Sequence, residues 1–384
     1  MKVTFLTWEY PPNIYGGAGV HVKHLVGELR KQIEVEVRTL GREGGPASSE
    51  ESGVHVRRYR PWDALTGASS SGIETLLRAF SVDLAFVNDP LNTDIVHTHT
   101  WYTNIAGFYA QHLYDAKLVA TVHSLEPKRP WKEAALGNAY RLSAWAERTC
   151  LRHCDRIIAV SNAQKDDVIE CCDVDARRVS VIPNGVDAQA FRRREDPAVL
   201  DCYGVRKPYV LFLGRLSRQK GVLDAVAASL RLPNEVTLVL VTGTADERRL
   251  EAELSSQVKN SDRIVWVNKM LSEPEAIAFY SGCEVFISPS RYEPFGITNL
   301  EAMACSRPVV STRVGGIKDV VVDGVTGILV EPQDPDMLAD AVNAILADGD
   351  MAARLGRSGR IRVEHEYGWE QVAEKTLTLY QTLL

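Results

Sequence analysis

Two glutamates, Glu293 and Glu301, lie eight residues apart in the stretch EPFGITNLE, where a loop turns into an apolar helical pattern. Glutamate is also favoured at helix starts by the helix dipole, so the pair alone does not establish a site. The proline of this stretch fits a first helical turn, which leaves the backbone amides of Phe295, Gly296 and Ile297 available to bind hydroxyls or phosphate. The spacing would let the two acids contact opposite ends of one ligand, such as a sugar nucleotide.

Two cations follow the strand-like run VLFLG. Arg215 comes just after this run and Lys220 stands five residues later, before a helical pattern. Arginine binds phosphate oxygens bidentately and lysine adds a mobile point charge, so the pair suits a diphosphate. A solvated basic loop is the alternative interpretation of this stretch when it is taken alone.

A glycine-rich turn, GGAG at residues 16–19, connects a strand pattern to a helix pattern near the start of the chain. Glycines such as Gly17 let the backbone approach a ligand, and the helix N-terminus offers N–H groups to an anion. The turn departs from GxGxxG, and Glu43 is the only nearby acid for a ribose. The pattern therefore indicates a phosphate or sugar-hydroxyl loop rather than a dinucleotide site.

The stretch TVHSLEPKRPWK combines a histidine, cations and an aromatic residue after another strand pattern. His123 follows the strand directly, although a structural histidine is a common alternative at such a position. Three cations surround one tryptophan: Lys128, Arg129, Trp131 and Lys132. An aromatic face beside cations suits an anionic sugar, while a solvated charged face is the alternative. Like charges so close together call for solvent or an anion.

Short β-rich runs alternate with helix-length patterns almost throughout, which is typical of doubly wound parallel sheets. The alternation restarts after the charged stretch at 191–204. We therefore predict an α/β protein with two Rossmann-like domains, residues 1–190 and 191–365. Residues 366–384 form a C-terminal helix that finishes the second domain or crosses back to the first. Because open α/β sheets bind ligands at the carboxyl ends of their strands, we expect the candidate residues to face one cleft.

Composition and charge narrow the possible functions. The 384-residue chain has a net charge of -6, which argues against a nucleic-acid partner. Its apolar runs are too short for a membrane span or a signal peptide, so we expect a cytoplasmic protein. The seven cysteines include CLRHC at 150–154, but without a second ligand pair at zinc-like spacing they indicate reduced, buried thiols.

Several motifs together resemble one enzyme family. EPFGITNLE matches the E-x7-E element of retaining glycosyltransferases of family 4, which have the GT-B fold, and GGAGVHV, IPNGVD, GRLSRQKG and DGVTGILV fit the same family in order. TWEYPPNIYGGAGVHV, HTHTWYTNIAG and HSLEPKRPWK further resemble the small bacterial ADP-glucose-dependent glycogen synthases of this family, many of which are maltose-1-phosphate synthases. Lys318 and Asp319 depart from the Pro-Glu common in the family near the donor pocket.

The resemblance implies retaining transfer of glucose from ADP-glucose, or another nucleotide-glucose, to an α-1,4-glucan or to glucose-1-phosphate. Arg215 and Lys220 would hold the donor diphosphate as it leaves. Glu301 would bind the ribose, and Glu293 with the 295–297 backbone would bind the glucose hydroxyls. No metal and no cofactor would be needed, because the donor phosphate itself is thought to accept the proton of the acceptor.

The resemblance also assigns residues in the first half of the chain. Gly17 would approach the diphosphate and glucose, and His123 would contact the glucose near C6. The acceptor side is expected from the residue types rather than from the resemblance, and its residues are Tyr102, Lys128, Arg129, Trp131 and Lys132. Self-association is left open.

Other functions stay open at this point. A family 4 transferase could use another donor, such as UDP-glucose or GDP-mannose. A GT-B sugar-nucleotide epimerase would need an acid or base aimed at a sugar carbon, which the paired glutamates do not suit. The irregular glycine loop argues against a nicotinamide-dependent dehydrogenase. The presence of Arg215, Lys220, Glu293 and Glu301 argues against a nucleotide-sugar binder that has lost its catalytic activity.

Overall fold

The structure, a computed structural model, describes most of the chain: residues 1–42, 45, 47–65, 71–243 and 248–384. Glu43, the acid considered for a ribose contact, lies outside the described residues. The chain divides into two units. Unit 1 comprises Met1–Asn184 with Trp369–Leu384, and unit 2 comprises Gly185–Gly368.

Unit 1 is built on an eight-stranded sheet in the order β3-β4-β2-β1-β5-β6-β7-β8, in which only β3 runs antiparallel to its neighbour. Its strands are β1 Lys2–Leu6, β2 Glu34–Leu40, β3 Ser48–Glu51, β4 Val54–Tyr59, β5 Ile95–His99, β6 Lys117–Val122, β7 Arg156–Ala159 and β8 Val179–Val181. Its first six helices are α1 Gly17–Leu29, α2 Ser71–Asn88, α3 Trp101–Tyr114, α4 Lys132–Leu136, α5 Asn138–His153 and α6 Asn162–Cys172.

Unit 2 has a six-stranded parallel sheet in the order β11-β10-β9-β12-β13-β14. Its strands are β9 Tyr209–Gly214, β10 Thr237–Thr242, β11 Ile264–Asn268, β12 Val285–Ser288, β13 Val309–Thr312 and β14 Gly327–Val330. Its helices are α7 Pro197–Cys202, α8 Val222–Ser229, α9 Arg248–Lys259, α10 Glu273–Gly282, α11 Ile297–Ala304, α12 Ile317–Val320, α13 Pro335–Ala347 and α14 Gly349–Glu366.

The last helix, α15 Trp369–Gln381, belongs to unit 1 and packs against α1. The Trp369 ring stacks on His24 at 5.0 Å between ring centroids. Tyr380, which is fully buried, places its hydroxyl 2.6 Å from Nδ1 of His97 on β5. The end of the chain is therefore bound into the core of unit 1.

The central strands are buried on both faces. Every residue of β5 and of β13 is buried. Helices cover both sides of a parallel sheet, so no face is left for an alternating polar pattern. The prediction of two doubly wound α/β domains is confirmed.

The cysteines and the helices give two further observations. All seven cysteines are free thiols, and burial raises the pKa of Cys172 to about 12. His153, in CLRHC, is bonded through Nδ1 to the carbonyl of Thr149, one turn earlier in α5. Among the helices that the structure describes, none combines the length and the apolar character needed to cross a membrane.

Candidate active site

In unit 2, three loops follow neighbouring strands at the point where the strand order reverses. Strand β9 lies between β10 and β12, so the chain builds outward from β9 first to one side and then to the other. The loops are residues 215–221 after β9, 289–296 after β12 and 313–316 after β13. Open α/β sheets bind ligands at the carboxyl ends of strands at such a reversal.

Backbone contacts hold the first two loops together. The amide of Arg291 donates to the carbonyl of Gln219 at 2.8 Å, and the Gln219 side chain donates to the carbonyl of Tyr292 at 2.9 Å. Gly221 has φ +68, and a Cβ there would lie 1.9 Å from the Pro289 carbonyl oxygen. The loop that carries the predicted cations is therefore fixed against the loop that carries Glu293.

The third loop is joined to Glu293 in the same way. The amide of Gly316 donates to the Glu293 carbonyl at 2.9 Å. Its neighbour Gly315 has φ +47, and a Cβ there would lie 2.0 Å from the same carbonyl oxygen. Only glycine permits this approach, which places the backbone of all three loops around Glu293.

Lys220 and Glu293, which the sequence assigned to different parts of a ligand, contact each other. Lys220 Nζ lies 2.5 Å from Glu293 Oε2, and the two side chains are only 18% and 9% exposed. A largely buried ion pair of this kind leaves an uncompensated charge if either partner is removed. Arg215, the residue directly after β9, is also partly buried.

Glu301 lies in the second turn of α11 and has a different environment. The hydroxyl of Tyr280 donates to its Oε2 at 2.7 Å. Burial raises the pKa of Glu301 to about 7, against the effect of this hydrogen bond. Helix α11 begins after Gly296, which has φ +105, and a Cβ there would lie 2.8 Å from the side-chain nitrogen of Asn299.

Sequence reasoning missed two hydroxyls on the loops of unit 2. Ser217 and Ser290 are almost fully buried, and neither Oγ has a hydrogen-bond partner among the described residues. A buried hydroxyl without a partner costs free energy, which a ligand can recover. The only signal in the sequence is a serine two or three residues after each strand, which is too common to single out.

The glycine turn of unit 1 is organised by Glu9, which sequence reasoning also missed. Glu9 Oε2 accepts the amides of Tyr15 and Gly16, each at 2.7 Å. A Cβ at Gly19 would lie 2.7 Å from the Glu9 Cβ, so the glycine makes room for this side chain. Part of the anion-binding capacity predicted for the turn is therefore used within the protein. Gly17 is the first residue of α1.

His123, which is partly exposed, belongs to a group of four histidines with the buried His21 on α1 and the buried His97 and His99 on β5. His99 Nδ1 lies 3.0 Å from His123 Nε2, and His21 Nδ1 lies 2.7 Å from the Asn184 side-chain oxygen. Burial lowers the pKa of His21 to about 4 and those of His97, His99 and His123 well below their usual value. These rings are neutral near pH 7, and the ring of His123 can exchange a hydrogen bond with a sugar hydroxyl.

The aromatic residues predicted on the acceptor side occupy two different environments. Tyr102, in the first turn of α3, stacks on Trp8 with ring centroids 4.7 Å apart and contacts the Trp101 ring at 4.3 Å. Trp131 precedes α4 and is 44% exposed. The exposed ring of Trp131 can contact a sugar, whereas the Tyr102 ring is packed against two tryptophans.

The three cations near Trp131 have carboxylate partners within the protein. Lys132 and Arg129 lie 2.7 and 3.6 Å from Oε1 of the buried Glu126. Lys128 lies 2.9 Å from carboxylate oxygens of two residues on α6, Asp167 and Glu170. The expectation that this cluster needs solvent or an external anion is therefore corrected. The phosphate pocket stays a prediction without that support.

Besides Glu126, a second buried acid lies next to this group of cations. It is Glu147 on α5, whose Oε2 accepts a hydrogen bond from the backbone amide of Glu126 at 2.7 Å. Burial, reinforced by the charge of Glu126, raises the pKa of Glu147 to about 8. The folded protein thus keeps a proton that the unfolded chain releases near pH 4.5. The contribution of Glu147 to stability therefore falls as pH rises from about 4.5 to about 8.

Glu147→Gln removes this proton while keeping the size of the side chain and its acceptor oxygen. We expect the variant to become more stable than the wild type as pH rises from 5 to 8, by up to about 1.4 kcal/mol per pH unit. Urea unfolding of both proteins at several pH values measures this difference. The histidines contribute equally to both proteins and cancel. Stability curves that run parallel would contradict the assignment.

Comparison with known proteins agrees with this architecture. Residues 204–362 match the family described as glycosyl transferases group 1, and residues 15–190 match glycosyltransferase family 4. An alpha-maltose-1-phosphate synthase of Mycolicibacterium smegmatis is 42% identical over 397 aligned positions, covering 99% of both chains. A glycogen synthase of Mycobacterium tuberculosis is 29% identical, covering 99% of this chain and 94% of the relative.

A solved structure extends the likeness to the fold. Sucrose-phosphate synthase from Thermosynechococcus elongatus superimposes with a TM-score of 0.82 at 25% identity, covering 100% of this chain and 99% of the other. These matches agree with the family that the sequence motifs resemble. The two doubly wound units and the glycine-bounded loops at the reversal of strand order are consistent with the same family. The chain belongs to the GT-B glycosyltransferases of group 1 and family 4.

Proposed function

We propose that the protein is a retaining α-glucosyltransferase that moves glucose from ADP-glucose to glucose-1-phosphate, or to an α-1,4-glucan, without a metal ion. The observation that carries the proposal is the Lys220–Glu293 pair, held among three loops at the reversal of strand order in unit 2. The whole-length similarity to a maltose-1-phosphate synthase supports the choice of donor and acceptor.

The ion pair suggests how a donor is taken up. In the free protein Lys220 and Glu293 neutralise each other. A diphosphate carries more charge than one carboxylate, so it draws Lys220 toward itself, with Arg215 as the second cation. The Glu293 carboxylate is then available to accept hydrogen bonds from hydroxyls of the transferred glucose. Binding of the donor and orientation of its sugar are coupled in this way.

Glu301 is assigned to the ribose. A carboxylate accepts hydrogen bonds from two neighbouring hydroxyls, and the Tyr280 hydroxyl holds one oxygen of Glu301 at 2.7 Å. The amides of Phe295, Gly296 and Ile297 lie at the start of α11, where helix N-terminal N–H groups favour an anion or hydroxyl oxygen.

Unit 1 contributes the other proposed contacts. Gly17, at the start of α1, is assigned to the diphosphate and glucose. His123 is assigned to the glucose near C6, where its neutral ring exchanges a hydrogen bond with a hydroxyl. Tyr102 and Trp131 are assigned to the acceptor. Lys128, Arg129 and Lys132 would have to share an acceptor phosphate with their present carboxylate partners.

The proposed chemistry needs no nucleophile from the protein. The bond between the glucose C1 and the donor phosphate breaks, the acceptor oxygen bonds to C1 on the same face, and the acceptor proton passes to the leaving phosphate. Arg215 and Lys220 stabilise the negative charge that develops on the diphosphate. Such preorganised charges are often the largest contribution to catalysis.

A panel of donors and acceptors tests the proposal. ADP-glucose, UDP-glucose and GDP-mannose are each incubated with glucose-1-phosphate, with a maltooligosaccharide and without acceptor, in EDTA. We expect rapid release of ADP with glucose-1-phosphate and an α-linked product by proton NMR. Faster turnover of another donor would contradict the assignment of ADP-glucose, and a β-linked product would contradict retention. Epimerisation without acceptor would contradict a transferase, and a requirement for Mg²⁺ would contradict metal independence. Equal or faster transfer to the maltooligosaccharide would favour glucan elongation.

A further inference from the structure

Three histidines of unit 1 come together from separate elements. His21 lies on α1, His99 ends β5 and His123 follows β6. One ring nitrogen of each lies within 4.8 Å of one ring nitrogen of both others. The His21 ring meets the His123 ring edge-on, with centroids 4.8 Å apart. The three rings are brought together by the packing of these separate elements.

Asn184 determines which nitrogen of His21 carries its proton. The side-chain oxygen of Asn184 can only accept, so His21 Nδ1, at 2.7 Å, must donate to it. His21 Nε2 therefore carries a lone pair. This atom is buried and has no hydrogen-bond partner within the described parts of the chain. Histidine ligands of metals are commonly oriented in this way by an acceptor on the other nitrogen.

His99 also has an unused nitrogen. Its Nδ1 lies 3.0 Å from His123 Nε2, and one proton serves both atoms. His99 Nε2 is buried and, among the residues that the structure describes, has no partner. His123 is the partly exposed member of the three, so the group can be reached from solvent.

A fourth histidine provides an internal contrast. His97 is equally buried, but its Nδ1 is bonded to the Tyr380 hydroxyl at 2.6 Å and its Nε2 to the Thr121 hydroxyl at 2.7 Å. Both nitrogens of His97 are thus satisfied, as expected of a structural histidine. The two buried nitrogens without a partner belong to His21 and His99 instead.

We propose that His21, His99 and His123 bind one divalent transition-metal ion such as Zn²⁺, with a further coordination position open to solvent. Three neutral imidazoles with an open position are a ligand set that suits Zn²⁺ rather than Mg²⁺ or Ca²⁺. Bonds of about 2.0–2.1 Å place tetrahedral ligands roughly 3.4 Å apart, so the nitrogens must close by up to about 1.5 Å. Rotation of the partly exposed His123 ring, together with shifts of the His21 and His99 rings toward each other, supplies this movement.

The metal would regulate transfer rather than perform it. This consequence rests on the proposed function, in which His123 contacts the glucose of the donor. An ion bound to His123 removes that contact, so Zn²⁺ is expected to inhibit competitively with the donor, and EDTA to relieve the inhibition. Metal binding itself does not depend on the proposed function.

Spectroscopy of the full chain tests the site directly. Co²⁺ added to metal-free protein is expected to give the visible bands of tetrahedral cobalt, saturating at one equivalent. X-ray absorption of the Zn²⁺-loaded wild type is expected to show three imidazole nitrogens at about 2.0–2.1 Å. The absorption measurement needs no variant, so it decides the matter even if a substitution prevents folding. A shell containing sulfur, or no stoichiometric binding, would overturn the proposal.

Variants identify the ligands. His21→Gln and His99→Gln are expected to abolish the cobalt bands, whereas His97→Gln keeps them. Asn184→Ala is expected to weaken metal binding by about 10–100-fold, because it frees the His21 tautomer. Circular dichroism checks that each variant is folded. Bands that persist in His21→Gln and His99→Gln would overturn the assignment. Metal binding without inhibition would instead refute the proposed role of His123 in donor binding.

Discussion

Lys220→Ala and Arg215→Ala are each expected to lower kcat by roughly 10²–10³-fold, because each removes a cation aimed at the charge that develops on the leaving diphosphate. Both residues lie on the loop after β9, and Lys220 is held in place by Glu293 at 2.5 Å. Initial rates of nucleotide release at saturating donor and acceptor measure the effect.

The ion pair complicates the Lys220 variant, because removing the lysine leaves a largely buried carboxylate without its partner. Part of the damage would then be to folding. Lys220→Met combined with Glu293→Gln removes both charges and leaves no unpaired ion, so its stability shows how much of the Lys220→Ala effect is damage to folding. We expect this double variant to recover stability but not kcat.

Arg218 is the matched control for these variants. It lies in the same turn, two residues before Lys220, and pairs with Glu253 at 3.2 Å on the exposed surface. Arg218→Ala is expected to keep kcat within a few-fold of the wild type. If Arg215→Ala and Lys220→Ala also stay within a few-fold, these residues do not hold the diphosphate.

The fold was predictable because its signals are local. Alternating β-rich and helix-length runs indicate parallel sheets with both faces covered, and the structure has two such sheets. Glycine turns and cations could likewise be located directly after strands, at the carboxyl ends where open sheets bind ligands, and that these loops bind a ligand stays a prediction. Each of these inferences needs only a short window of sequence.

The contacts within the site could not be predicted, because they join distant residues. Lys220 and Glu293 are 73 positions apart and meet only because glycine at 221 lets two loops touch. Glu126 stands inside the very stretch that suggested a phosphate pocket, yet its burial against α5 makes it the partner of two cations. A charge count within one window cannot distinguish a buried internal partner from a solvated neighbour.

Gly221→Ala tests whether the contact between these loops positions the site. A Cβ at Gly221 would lie 1.9 Å from the Pro289 carbonyl oxygen, so the loops must separate by more than about 1 Å. A displacement of that size at a catalytic group costs on the order of 10² in rate. We therefore expect kcat to fall about 100-fold, as measured by nucleotide release. The thermal midpoint is also expected to fall, because alanine is strained at φ +68.

Gly204→Ala separates backbone strain from the clash. Gly204 has φ +67, almost the same as Gly221, but a Cβ there would have nothing within 4 Å. Its alanine variant carries the same left-handed strain of about 1–2 kcal/mol and should lose stability while keeping kcat. Since both variants carry the same backbone strain but only Gly221→Ala clashes with Pro289, a 100-fold gap in kcat between them would show that strain alone does not cause the loss. Equal values of kcat would mean that the loop carrying Lys220 is positioned by something other than this contact.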